Sequence, residues 1–123
     1  MIFKIAIASS DGVRTDRHFG QADEFYIYSL DTEKEDCELL GKREVCPACH
    51  GGEHQVGSFD DVLAVLEDVS AVVAQRVGYG AESYLKSHGK AVYQIPLDIE
   101  EALCRLLEEK RWEADKWQLH TKN

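Results

Sequence analysis

The spacing of apolar residues changes along this chain, and each change marks an element. Ile2-Phe3-Lys4-Ile5-Ala6-Ile7-Ala8 is nearly continuously apolar and β-branched, the pattern of a strand covered on both faces. Ser9-Ser10-Asp11-Gly12 breaks it, and the polar stretch to Gly20 reads as a long loop. Phe25 to Leu30 is a second strand, rich in aromatic residues. After the charged turn Asp31 to Asp36, a third strand runs from Cys37 to Val45, with Gly41 placed for a bulge. Short connections predict antiparallel pairing of these three.

From Ser58 the period becomes helical. Ser58 and Asp61 stand in capping-box positions, and Phe59, Val62, Leu63, Val65 and Leu66 make one apolar face. Ser70 to Gln75 reads as a buried strand and Arg76 to Gly80 as a glycine-bearing turn. Ala81 to His88 is a short helix ended by Gly89, and Ala91 to Ile95 a last strand closed by Pro96. Asp98 is placed to cap a final helix with Glu101 at the reciprocal position. Ile99, Ala102, Leu103, Leu106 and Leu107 recur there at helical spacing. That helix is expected to continue past Leu107 through Trp112 toward Trp117, two tryptophans that pack either on the domain or on a partner.

The order β-β-β-α-β-α-β-α predicts an α/β fold: a five-stranded mixed sheet of order 3-2-1-4-5 with three helices. Strands joined through helices pair in parallel by right-handed crossovers. Residues 1–110 form one domain and 111–123 a C-terminal tail. This strand order is that of the three-layer ribonuclease-H-like fold. A nuclease of that kind needs clustered carboxylates, one of them on the first strand, and none stands there.

Composition narrows the function classes. At 123 residues the chain suits one domain. A net charge of −9, spread along the chain, argues against a phosphate-backbone binder, so nucleic acid is not an expected partner. The longest apolar runs, Ile5 to Ala8 and Ala71 to Ala74, are far below membrane-spanning length, so no membrane association is expected. The chain enters its first strand with no basic n-region, which predicts a cytoplasmic protein. In that compartment a close cysteine pair suggests metal or redox chemistry over a structural disulfide.

Such a pair lies in Cys46-Pro-Ala-Cys49-His50-Gly51-Gly52-Glu53-His54, where two thiols and two imidazoles meet in a loop with almost nothing to bury. Cys46, Cys49, His50 and His54 can ligate zinc, another metal or an iron–sulfur cluster in an open site. Cys46 to His50 also matches the C-x-x-C-H of haem attachment, without the expected export and helical fold. A thioredoxin-like dithiol is a third reading, although glycines follow where a helix should open. A plain loop is the fourth. His18-Phe19-Gly20 ends the loop after the first strand, where open α/β sheets bind ligands; alone it reads equally as a surface histidine beside a packing phenylalanine. Gly78-Tyr79-Gly80 precedes a helix, so its amides can face an anion or form a plain tight turn. Cys37 and Cys104 read as small apolar residues.

Ile5-Ala6-Ile7-Ala8-Ser9, Asp16-x-His18-Phe19-Gly20-x-Ala22-x-x-Phe25-x-Ile27-Tyr28, the Gly78 turn, Leu85-x-x-x-Gly89 and Ile99-Glu100-Glu101-Ala102-Leu103 together resemble the dinitrogenase iron–molybdenum cofactor biosynthesis family of NifX, NafY and the C-terminal domain of NifB. The stretch Arg43 to Gly52 is similar to one in NifB-type members. The resemblance spans residues 1 to about 107 and implies a ribonuclease-H-like fold. It implies a non-catalytic carrier or chaperone for an iron–sulfur precursor of the nitrogenase cofactor, or for the finished iron–molybdenum cofactor. It further implies cofactor binding at the position of His18, a thiolate ligand at Cys46 or Cys49, and a protein partner for cofactor delivery. The alternative is a zinc- or dithiol-dependent redox or regulatory module using Cys46 and Cys49.

Overall fold

The computed structural model describes residues 1–46 and 58–120. The central strand β1 (Ile2–Ala8) lies within a sheet of order β3-β2-β1-β4-β5, formed with β2 (Glu24–Asp31), β3 (Asp36–Glu44), β4 (Ala71–Ala74) and β5 (Ala91–Gln94). β1 pairs antiparallel with β2 and parallel with β4, β2 pairs antiparallel with β3, and β4 pairs parallel with β5. This is the predicted topology. The predicted bulge is present too: Ile27 faces Gly41 and Tyr28 faces Leu39, so Leu40 has no partner.

Side chains alternate across β1, and each set joins its own core. Ala6 and Ala8 pack with Phe25, Ile27 and Val72 under α1 (Ser58–Val65) and α2 (Tyr79–Ser87), which contribute Val62, Ala81 and Leu85. Phe3, Ile5 and Ile7 pack with Leu30 and Val73 under α3 (Ile99–Glu108), which contributes Ile99, Ala102, Leu103 and Leu106. Three layers result, with the sheet in the middle.

The C-terminal segment departs from the expected long helix. α3 stops at Glu108, Lys110 turns left-handed at φ 46°, and a single turn, α4 (Arg111–Ala114), follows. The turn brings Trp112 and Trp117 back onto the α3 side of the sheet, each 8% exposed. Trp117 meets Phe3 edge-on at 5.5 Å and donates its indole N–H to the Tyr93 hydroxyl at 2.7 Å. Burying each indole stabilises by on the order of 2–3 kcal/mol, more than the ~1–2 kcal/mol a left-handed residue costs. Asp98 precedes α3 as expected but makes no side-chain cap bond; the Ile99 amide goes to the Val13 carbonyl at 2.8 Å.

One ion cluster fastens α1 and its exit to the sheet. Arg43 donates to both carboxylate oxygens of Asp68, at 2.6 and 2.9 Å, and to the Val65 carbonyl at 2.9 Å. Lys4 reaches Asp68 at 3.0 Å. The Arg43 bonds, with help from Lys4, hold the Asp68 carboxyl far below the usual carboxylate range. Nearby Lys90, 4% exposed, donates to the carbonyls of Glu67 and Val69 at 2.7 and 2.8 Å, and burial pushes its pKa down to about 8.

Asp68→Asn is expected to lower stability by ~2 kcal/mol at pH 7, because it leaves partly buried cations short of a charged acceptor. The folded carboxyl has the lower pKa. Its contribution is therefore complete above the unfolded value near ~4 and is lost progressively at lower pH. Urea titrations of both proteins should show the gap shrinking below that pH; a constant gap would show that ionisation of Asp68 is irrelevant.

Candidate functional site

β1, β4 and β5 run the same way, and β3 runs with them through two antiparallel pairings. All four end at one edge of the sheet, and the candidates among the described residues, His18 to Gly20, Cys46, Gly78 and Gly80, lie there. The loop leaving β1 is polar but fixed. Ser9 Oγ accepts the amides of Asp11 and Gly12 at 3.3 and 2.9 Å, and Asp11 Oδ1 accepts those of Val13 and Arg14 at 2.8 and 2.9 Å. Those backbone bonds lower the Asp11 pKa. Gly12 has φ +78°, a left-handed backbone that glycine adopts without strain, and a Cβ there would press on the Tyr26 ring at 2.9 Å. Asp16 then accepts the Ser10 amide at 2.9 Å.

The outer half of the loop is sewn to the ends of β4 and β5. Thr15 N donates to Leu97 O, Gln75 N to Arg17 O, and Phe19 N to Arg76 O, each at 2.9 Å. His18 thereby sits in a parallel bridge with Arg76. A 3-10 turn, Phe19–Gln21, follows and includes Gly20. Phe19 is 2% exposed, with ring centroids 5.7 Å from Phe25 and 6.5 Å from Phe59, the latter stacked. Phe19 therefore anchors the turn in the core and joins it to α1. The neighbouring His18 side chain is exposed and bonds to no described residue.

His18 has Arg17 beside it in sequence and Arg76 across its bridge, and the loop also carries the carboxylates of Asp11 and Asp16. Arg17 and Arg76 are exposed and form no ion pair among the described residues. Next to them α2 begins after Gly78, with no side chain capping it, and Tyr79 is 86% exposed. A Cβ at Gly78 or Gly80 would meet nothing within 4 Å, so no neighbouring protein atom requires glycine at either position. The helix N-terminus adds partial positive charge at this edge. The two arginines were not among the residues singled out from sequence. The readable signal was their place beside His18 and the Gly78 turn in a chain of net charge −9.

Cys46 is exposed and follows Val45, whose amide donates to Asp23 O at 2.9 Å, just after the 3-10 turn. The chain passes out of the described part after Cys46 and re-enters at Ser58, where α1 starts and Phe59 stacks on Phe19. Both ends thus lie at the edge that presents His18. Cys49, His50 and His54 lie outside the described residues. Among the described residues, no group of three or more His, Cys, Asp or Glu side chains could hold a metal ion. Cys37 is half-buried on the α3 side, and burial pushes its thiol up to about 12, as a packing residue requires. Cys104 is exposed on α3, contrary to the apolar role expected of it.

Comparison with known proteins agrees with this architecture. The family model described as dinitrogenase iron-molybdenum cofactor matches residues 1–109. The FeMo cofactor biosynthesis protein NifB of Chlorobaculum tepidum is 38% identical over 99 residues, covering 80% of this chain and 22% of NifB. NifB of Klebsiella pneumoniae is 36% identical over 90 residues, covering 69% and 19%. The chain thus spans about a fifth of the length of these relatives. Two solved structures share the fold. PH0822 has a TM-score of 0.62 at 19% identity, covering 94% of this chain and 93% of that one. The apo form of the orange protein from Desulfovibrio gigas has a TM-score of 0.54 at 17% identity, covering 97% and 93%.

The two neighbours in the His18-Phe19 pair should separate cleanly by mutation. His18→Ala is expected to change stability by no more than ~0.5 kcal/mol, as exposed side chains do, while Phe19→Ala costs ~3–4 kcal/mol. Chemical denaturation measures both. A comparable loss for His18→Ala would mean that the histidine is part of the scaffold.

Proposed function

The chain belongs to the dinitrogenase iron–molybdenum cofactor family, and from that premise we propose that it is a non-catalytic carrier in nitrogenase cofactor biosynthesis. Its cargo is an iron–sulfur-type precursor of that cofactor, held at the carboxyl edge of the sheet. The observation that carries this reading is the exposed imidazole of His18, without a partner among the described residues, next to Arg17 in sequence and bridged to Arg76, at the edge where Cys46 lies two residues beyond the third strand. An iron–sulfur cluster is bound by thiolates, with imidazole replacing them in some centres. Cys46 and Cys49 would supply thiolates, and His18, His50 and His54 nitrogens.

The electrostatics support an anionic cargo. Thiolate-ligated clusters carry negative charge, and a protein of net charge −9 needs a local reversal of sign to take one up. Arg17, Arg76 and the uncapped start of α2 provide that reversal. Gly78 and Gly80 add no side chain to the approach to the α2 amides, which Tyr79 alone borders between them. Phe19 and Gly20 serve as the fixed turn that aims His18, with Phe19 buried beneath it. Cargo held by ligation and charge leaves by ligand exchange with a delivery partner, so no catalytic group is needed. We assign the protein to the cytoplasm; no helix among the described residues is long and apolar enough to cross a membrane.

The exposed free thiol of Cys46 also suits a second reading, a zinc- or dithiol-dependent module using Cys46 and Cys49. One experiment separates the two. Anaerobic incubation with iron and sulfide should give broad visible charge-transfer absorbance, lost on replacing both cysteines with serine while the far-ultraviolet circular dichroism stays unchanged. His18→Ala, and Arg17→Glu with Arg76→Glu, should each weaken cluster binding roughly tenfold, equivalent to ~1.4 kcal/mol. Stoichiometric zinc with no bound iron would favour the second reading. Undiminished cluster binding by the cysteine variant would remove the thiols from the site.

A further inference from the structure

β5 is the last strand of the sheet, and its outer side is open. Ala91 and Ile95 donate their amides to the carbonyls of Ser70 and Ala74 at 2.9 and 3.0 Å. The alternation of a parallel ladder therefore turns the peptide groups of Val92 and Gln94 outward, and no described residue bonds to them. Beside this edge lies a groove of about 430 Å³ between the end of α2 and the segment around α4. Its walls carry Lys86, Lys90, Arg111 and Lys116 against one carboxylate, Asp115, with Tyr93 and Trp117 supplying aromatic surface. Lys90 is turned onto backbone carbonyls, Arg111 onto Asp115, and Lys86 makes an exposed i,i+4 pair with Glu82 at 3.5 Å, while Lys116 forms no ion pair among the described residues. A cationic groove along an unpaired strand is a feature the cofactor edge does not use, since β5 lies at the flank of the sheet.

We propose that β5 accepts an extended acidic segment of another protein as a sixth strand. The segment's backbone pairs with Val92 and Gln94, and its carboxylates face Lys86 and Lys116. Charge decides among occupants. A second copy paired edge to edge would set two cationic grooves against each other. A small anion would answer the lysines but leave the outward N–H and C=O groups unpaired. Only an extended acidic chain satisfies both.

The probe is a fluorescently labelled, end-capped decapeptide of alternating glutamate and valine, titrated with the full chain and followed by anisotropy. Saturable binding that weakens with added salt is expected. Val92→Pro should weaken it roughly tenfold or more, because it removes an outward amide and leaves the ladder to β4 intact. Lys86→Glu with Lys116→Glu should do the same, with circular dichroism confirming the fold of each variant. On the unaltered protein, N-methylation of the peptide's alternate amides, made once on the valines and once on the glutamates, should abolish binding for the set that faces β5, which keeps the test decisive if Val92→Pro fails to fold. The proposal is overturned by no binding at millimolar peptide, by equal binding of a lysine–valine peptide, or by binding that survives both N-methylations. A dimer of the chain that Val92→Pro dissolves would overturn it as well, in favour of self-association.

Discussion

Burial of β1 and β4 on both faces is the constraint from which the rest follows. Ile5, Ala6, Ile7 and all of β4 are 0% exposed, so helices must cover both sides of the sheet. With β1, β4 and β5 adjacent and parallel, right-handed crossovers set α1 and α2 on one face, and α3 covers the other. Parallel strands then deliver their carboxyl ends to a single edge. The chain leaving that edge must satisfy its own backbone groups, and the segment from Ser9 to Phe19 does so through serine and aspartate side chains and through bonds to residues 75, 76 and 97. A rigid, polar, cation-bearing rim is the outcome.

Stability and recognition occupy different parts of the molecule. The opposite edge is closed by the C-terminal segment, where Ser70 donates to Gln118 O, His120 contacts Gly89 O at 3.0 Å, and two tryptophans seal the α3 layer. Gly89 serves both structures. Its φ of +76° ends α2, and a Cβ there would come within 2.7 Å of the Gln118 side chain. Asp68 with Arg43 and Lys4 locks the α1 exit in the same way. At the carboxyl edge the pattern reverses: the side chains of Arg17, His18 and Arg76 have no partner among the described residues, and the buried Phe19 bears the packing load for the turn beside them. The carrier role proposed for the chain needs that division, because groups committed to the scaffold cannot exchange with a cargo.

Much of this was legible in the sequence, for identifiable reasons. The apolar run of β1, the periodicity of α3 and the bulge at Gly41 are local signals, and the strand order followed from connection lengths and handedness. The position of His18 was readable as the end of a loop leaving a central strand. The C-terminal turn was not, because helical spacing from Ile99 to Leu107 carries no mark of the left-handed Lys110; the reversal is imposed by burial of Trp112 and Trp117, a tertiary effect. The side-chain cap expected of Asp98 is not made, and the Ile99 amide instead meets the Val13 carbonyl, a contact that only the folded loop creates. Arg76 reaches His18 across a bridge between segments about 60 residues apart, and no local motif announces such a pairing.

The central claim is that cargo binds at the carboxyl edge of the sheet, and amide NMR of protein loaded anaerobically with iron and sulfide tests it most directly. Iron broadens nearby amide resonances. The account predicts selective loss of signal for Phe19 to Ala22 and for Val77 to Ala81, while Thr32, Ser70 and Gly89 at the opposite edge stay sharp. Broadening centred on that opposite edge, or spread evenly over the sheet, would contradict it.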